Sequence, residues 1–319
     1  MLKSYTAAAV LTLLLSAWSV LFGGCAGDST PAAPEISTSG PSSALTQPVA
    51  ASALPGPTTT ARVKLSPEEI AVNSFSALQK MTCLKFDMEL SMSLTLPAGK
   101  ETGTMKMLQS ATSAINIPDK QMDMVMDMVM EVPNRDRQDM SAEIYSVDGW
   151  LYIRAEVPGI SDQWTKMKLT DEQWARQSQL ASMTDFLKAP TGLELIGSEK
   201  VGGVDCYVLS ITPDVKSLAT WMAGQMQSGQ TGMDFSNTDF SKLLQSFMVK
   251  EWIAKDSYLL ARQQIGLKLN LNSPEATGSA TTQTNMDMNA TLTYYDYGKP
   301  VVIQLPPEAL EAKEIKLTQ

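Results

Sequence analysis

The 319-residue chain contains no histidine. That absence removes Ser-His and Cys-His nucleophile pairs, histidine-ligated zinc and the usual proton shuttle near neutral pH. Cysteine is nearly absent as well, and three residues are too few for a four-thiolate zinc site. Positive charge is in deficit: 25 Lys and Arg stand against 34 Asp and Glu, a net charge of −9. That balance argues against nucleic acid or an anionic bilayer surface as the main partner. No phosphate loop, nucleotide fingerprint or metal triad occurs. These absences lean away from an enzyme and call for no cofactor and no metal. What is present is an apolar fraction of 44% against 18% charged residues, enough for a packed core. The length allows one or two domains.

The first 24 residues read as a secretory signal. Lys3 supplies the positive start, and residues 7–22 are apolar apart from Thr12, Ser16 and Ser19. Leu21-Phe22-Gly23-Gly24-Cys25 then resembles a bacterial lipobox, with Phe22 where Leu is commoner. In that pattern Cys25 is diacylated and becomes the mature N-terminus. An ordinary signal peptide or an uncleaved anchor is the other reading of the same residues. The apolar stretch is short for a spanning helix, and no later segment approaches about 18 apolar residues.

Residues 25–64 form a tract of Pro, Ala, Ser and Thr with almost no charge, for example Pro55-Gly56-Pro57-Thr58-Thr59-Thr60. Such a segment buries too little apolar area to offset its ordering entropy. As a flexible coil it would span about 30–40 Å. The expected organisation is therefore a signal over 1–24, a lipidated N-terminus and leash over 25–64, and one folded domain over 65–319. The expected location is the extracytoplasmic face of a bacterial membrane, with the N-terminal lipid as anchor. In that compartment Cys83 and Cys206 either form a disulfide or sit as two buried thiols.

The folded part opens with Ser66-Pro67-Glu68-Glu69, an N-cap, a proline at the first helical position and a capping glutamate. Ile70, Ser74, Phe75, Leu78 and Met81 then share a helical face. The period changes to two at Leu84, Phe86, Met88, Leu90, Met92, Leu94 and Leu96, which predicts a long strand buried on one side. A second strand near 104–117 carries Met105 and Met107. A third near 121–132 carries Met122, Met124, Met126, Met128 and Met130, opposite Asp123, Asp127 and Glu131. Further strands are expected near 140–147, 150–154, 164–169, 193–200, 204–211, 250–254, 258–271 and 286–294. Asp148-Gly149 and Gly202-Gly203 mark hairpins. Helices are expected from Thr170 to Leu187, from Thr212 through Leu218, Met222 and Met226, and over 239–247. The expected fold class is α+β: a single large curved antiparallel β-sheet, a half-barrel wrapped around a few α-helices.

Four segments carry a family resemblance: Asp148-Gly149-Trp150-Leu151-Tyr152, Trp164-Thr165-Lys166, residues 202–209 and Asp296-Tyr297-Gly298-Lys299-Pro300-Val301-Val302-Ile303. With the lipobox, the leash and the opening helix, their order resembles the LppX/LprG-type lipoproteins of the LolA-like superfamily, over about residues 66–310. The resemblance implies a half-barrel whose concave side, roofed by helices, holds acyl chains. It implies no catalytic residues.

Methionine is the abundant oddity, 20 of 319 residues. It packs irregular gaps, and it also lines surfaces that accept varied apolar ligands. The candidate cavity residues are therefore Leu84, Phe86, Met88, Leu90, Met92, Met105, Met107, Met122, Met124, Met126, Met128 and Met130, with Leu218, Met222 and Met226 from the second helix. The Gly-rich stretch 228–237 is a hinge or a plain connector. Trp150, Trp164, Trp174, Trp221 and Trp252 either line a pocket or anchor the core. Asp123, Asp127 and Glu131 read as a solvated face, because alternate strand residues do not wrap a calcium ion. The expectation is a binder or carrier of lipid or another apolar small molecule. The alternative is a sensory or protein-interaction module of the envelope with a filled core and an envelope protein as its partner.

Overall fold

The computed structural model describes residues 65–98, 101–158, 162–171, 173–174, 190–214, 243–270 and 285–315. The expected leader, leash, second helix and Gly-rich connector lie outside the described residues. Helix α1 spans Pro67–Leu78 and buries Ile70, Ala71, Ser74 and Leu78. Its start is the predicted capping box. Ser66 Oγ accepts from the Glu69 N–H at 3.2 Å, and the Ser66 N–H donates to Glu69 Oε2 at 2.7 Å. The helix packs against strand β7.

Twelve strands follow: β1 (Cys83–Ala98), β2 (Glu101–Asn116), β3 (Gln121–Glu131), β4 (Gln138–Val147), β5 (Trp150–Glu156), β6 (Thr165–Lys168), β7 (Pro190–Val201), β8 (Val204–Pro213), β9 (Leu244–Ala254), β10 (Leu260–Asn270), β11 (Asn285–Tyr295) and β12 (Lys313–Glu314). They form one open sheet in the order β12-β6-β5-β4-β3-β2-β1-β11-β10-β9-β8-β7. Two meanders, β1 to β6 and β7 to β11, meet where β1 pairs with β11. Every pairing is antiparallel except β12 on β6. Two of the turns are the predicted hairpins. Asp148 and Gly149 have φ of 52° and 76°, and Gly202 and Gly203 have 55° and 87°. Such left-handed pairs match the twist of the flanking strands.

The structure departs from the expected elements at several places. The segment 239–247 is not a helix through its length, because β9 begins at Leu244 and pairs Leu244 with Leu269 and Phe247 with Leu267. The ladder to β10 overrides the helical spacing of its apolar residues. The strand expected near 193–200 begins earlier, at Pro190, on the sheet edge where its missing N–H costs nothing. Among the described residues α1 is the one α-helix seen in full, and the helices expected at 170–187 and from Thr212 to Met226 lie mostly outside them. Beyond it, a reciprocal pair of Thr170 and Gln173 bonds, 2.8 and 3.1 Å, opens the helix expected from Thr170.

The chain end differs as well: residues 296–303, the last of the segments that carry the resemblance, form no strand. Val301 and Ile303 are instead buried with Cys83 and Ala114, on the sheet face opposite Met88. A 3-10 helix at Pro307–Glu311 and strand β12 continue that cover, with Ala309 and Ala312 against Tyr152 and Trp164. The sheet is therefore covered on parts of both faces, not on one only.

Candidate functional site

The strand registers gather the sequence-predicted residues into rows on one face. Leu84 stands opposite Ile115, which stands opposite Met122 and then Ser146. The next row is Phe86, Ser113, Met124 and Ile144. It is followed by Met88, Ala111, Met126 and Ala142, and then by Leu90, Gln109, Met128 and Met140. Met92 faces Met107 on one side and Met288 on the other, and Met107 faces Met130. Leu94 faces Met105 and Met286. Direct partners in a ladder share a face, so all of these side chains belong to one apolar surface.

Burial along this surface is graded. Met122, Met124 and Met126 are each 1% exposed. Met92, Met105, Met130, Leu94 and Met286 are only partly buried. The apolar face is closed off at the Leu84 end and reached by solvent at the Met105 end. Leu218, Met222 and Met226 lie outside the described residues.

The same face continues across the second meander. Met88 is opposite Leu292, Leu292 opposite Gln263, Gln263 opposite Glu251, and Glu251 opposite Leu209. Sequence reading missed Glu251 and Gln263, which are each 1% exposed. Gln263 Nε2 donates to Glu251 Oε1 at 2.9 Å. Burial pushes the Glu251 carboxyl up to about 7, with the Gln263 hydrogen bond opposing the shift. The available signal was a period-two run of Val249, Glu251 and Ile253, with an acid at an apolar position. Gln109 was missed too. Its Nε2 lies 3.8 Å from Met126 Sδ, a weak acceptor.

Other candidates fall elsewhere. Cys83 and Cys206 are both free and buried. They sit in separate clusters, on β1 and on β8, which three strands separate in the sheet. Neighbouring strands lie about 4.8 Å apart, so four steps exceed the reach of a disulfide. The bonded alternative is thereby corrected. Trp252 packs with Val208, across from the methionine face, and its Nε1 donates to Glu199 Oε2 at 2.8 Å. Trp150 and Trp164 pack with Tyr145 and Tyr152 beside the C-terminal cover. These three tryptophans anchor clusters on the opposite face and do not line the methionine rows. Trp174 is buried, and Trp221 is outside the described residues. On the acidic row, Asp127 and Glu131 are exposed, while Asp123 is half-buried and accepts from the Ala114 N–H at 2.9 Å. Among the described residues no three His, Cys, Asp or Glu gather as a metal site would need.

The arrangement offers an extended thioether and aliphatic surface, interrupted by Ser113, Gln109, Ser146 and the Glu251–Gln263 pair. Such a surface holds alkyl matter by burial. Each methylene removed from water contributes about 0.8 kcal/mol.

No curated protein matches the chain. Among solved structures, the chain is similar to the lipoprotein LppX of Mycobacterium tuberculosis, at 14% identity and a TM-score of 0.37, over 75% of this chain and 98% of that one. It is similar to LprF from Mycobacterium bovis, at 14% identity and a TM-score of 0.38, over 75% and 96%. A LolA superfamily protein from Nitrosomonas europaea is similar at 12% identity and a TM-score of 0.20, over 76% and 96%. At those scores the likeness carries no functional argument, and the site is read from its own residues. Residues 66–314 match the model of a family of unknown function, DUF6612, and the chain belongs to that family.

Proposed function

We propose that this protein is a membrane-tethered extracytoplasmic lipoprotein that binds or carries lipids or other apolar molecules against its methionine face. The observation that carries the reading is the continuity of the methionine rows, from Met92, Met107 and Met130 down to Met122. A core selected for a single packing favours Ile, Val and Leu, which have few rotamers. Methionine has three rotatable bonds and remodels its surface around a guest. The graded burial adds a second support, because a chain-shaped ligand needs one open end. In this reading the sheet is a half-barrel, helices roof the methionine face, and a diacylated Cys25 and the 25–64 leash hold the domain near a membrane. No catalytic role is assigned to any residue.

A second reading is an envelope sensory or interaction module with a filled interior. It draws on Leu108 and Val125, 56% and 43% exposed on the opposite face. Native mass spectrometry of the full chain, purified without detergent, separates the two. Adducts with masses of acyl lipids are expected. A bare protein mass that stays bare after incubation with lipid vesicles overturns the binding reading and favours the interaction module.

A further inference from the structure

Among the described residues the methionine face carries one buried acid. Glu251 sits between Leu209 and Gln263 in a row that continues through Leu292 to Met88. Its Oε1 is occupied by Gln263, and its Oε2 has no hydrogen-bond partner among the described residues. No Lys or Arg among the described residues forms an ion pair with it. The sheet does not need this side chain, since β9 is held by its backbone ladders to β8 and β10. A leucine in its place would continue the apolar row. A buried carboxyl with an open oxygen is costly unless a donor reaches it.

We infer that Glu251 and Gln263 form a polar subsite within the apolar face, which receives the hydrogen-bond-donating group of an alkyl ligand, a hydroxyl or an ammonium. This rests on the reading of that face as a ligand surface. The ligand's chain lies along the methionine rows, and its donor meets Glu251 Oε2. A hydroxyl fits either protonation state of the acid, because it both donates and accepts. An ammonium fits the carboxylate only and supplies its missing counter-charge. Burial holds the carboxyl near neutrality, so both states are accessible.

The test uses the full chain and three probes of equal chain length: dodecan-1-ol, dodecylammonium and dodecyl methyl ether. The wild type is expected to bind the alcohol, the ammonium or both about tenfold more tightly than the ether. Glu251→Leu is expected to abolish that preference while still binding the ether. Glu251→Gln, closer in shape, keeps a hydroxyl preference and loses an ammonium preference, which tells the two ligand sources apart and serves if the leucine variant does not fold. Equal binding of all three probes by the wild type overturns the subsite while leaving the ligand face standing. So does a preference that survives in Glu251→Leu, or an ammonium preference that survives in Glu251→Gln. Failure of every probe to bind overturns both readings.

Discussion

Met92 of β1 stands directly between Met107 of β2 and Met288 of β11, so three thioethers from three strands abut in one row. Two rows further along, Ala111 sits between Met88 and Met126 and is 4% exposed. That small residue provides a probe of the interior. In a filled core, Ala111→Phe overpacks and costs about 1–3 kcal/mol. In a surface that receives alkyl chains, the ring occupies ligand space. The expected outcome is a melting temperature within a few degrees of wild type and a fall in co-purifying lipid, read by calorimetry and by lipid extraction.

The capping box of α1 gives a second prediction. Ser66→Ala removes the acceptor for the Glu69 N–H and leaves a helix-terminal donor unpaired. A loss of about 1 kcal/mol in urea denaturation is expected. Ser66→Asp should restore most of it.

Much of the fold was legible in the sequence, for local reasons. β1 and β3 were readable because Met88 to Met92 alternate with Glu89 and Ser91, and because methionine recurs at every second position from Met122 to Met130. The Asp148-Gly149 and Gly202-Gly203 turns were readable because left-handed backbone selects those residue types. The C-terminal cover was not. Pro300, Pro306 and Pro307 lack the N–H a ladder requires, and only the tertiary contacts of Val301 and Ile303 reveal that they are buried. Leu244 was misread because Phe240, Leu243 and Phe247 have helical spacing, and no local signal announces the pairing to β10. The Glu251 and Gln263 pair was invisible for a related reason. Residues 12 apart in sequence are brought together by strand register, which composition does not encode.

The two folded-domain thiols yield a third prediction. Cys83 and Cys206 are buried in different clusters and unbonded. Peptide mapping without reductant should recover both as separate alkylated peptides after unfolding. In the native state both should resist a water-soluble thiol reagent. A cross-linked Cys83–Cys206 peptide would contradict the structure.

Glu251 sets a fourth, through pH. Its carboxyl is raised from the usual 4.5 to about 7 in the folded protein. The folded state therefore holds a proton that the unfolded chain has released between those values. By linkage, the stability from this group is fully present below pH 4.5, declines as pH rises toward 7, and levels off above it, a loss on the order of 3 kcal/mol. The neighbours Tyr294 and Tyr297 stay protonated throughout, both held above the usual tyrosine range by burial, and Gln263 does not titrate. Urea denaturation across that window should show the decline in the wild type. Glu251→Gln should remove it.

The methionine face itself is tested most directly by its methyl groups. With methionine methyl carbons labelled, the full chain is titrated with a stearate carrying a nitroxide on its alkyl chain. The account predicts selective broadening of the Met88, Met124, Met126 and Met128 methyl signals, with Met248, 42% exposed on the opposite face, left sharp. Broadening confined to Met248, or none at any methionine at saturating probe, would contradict it.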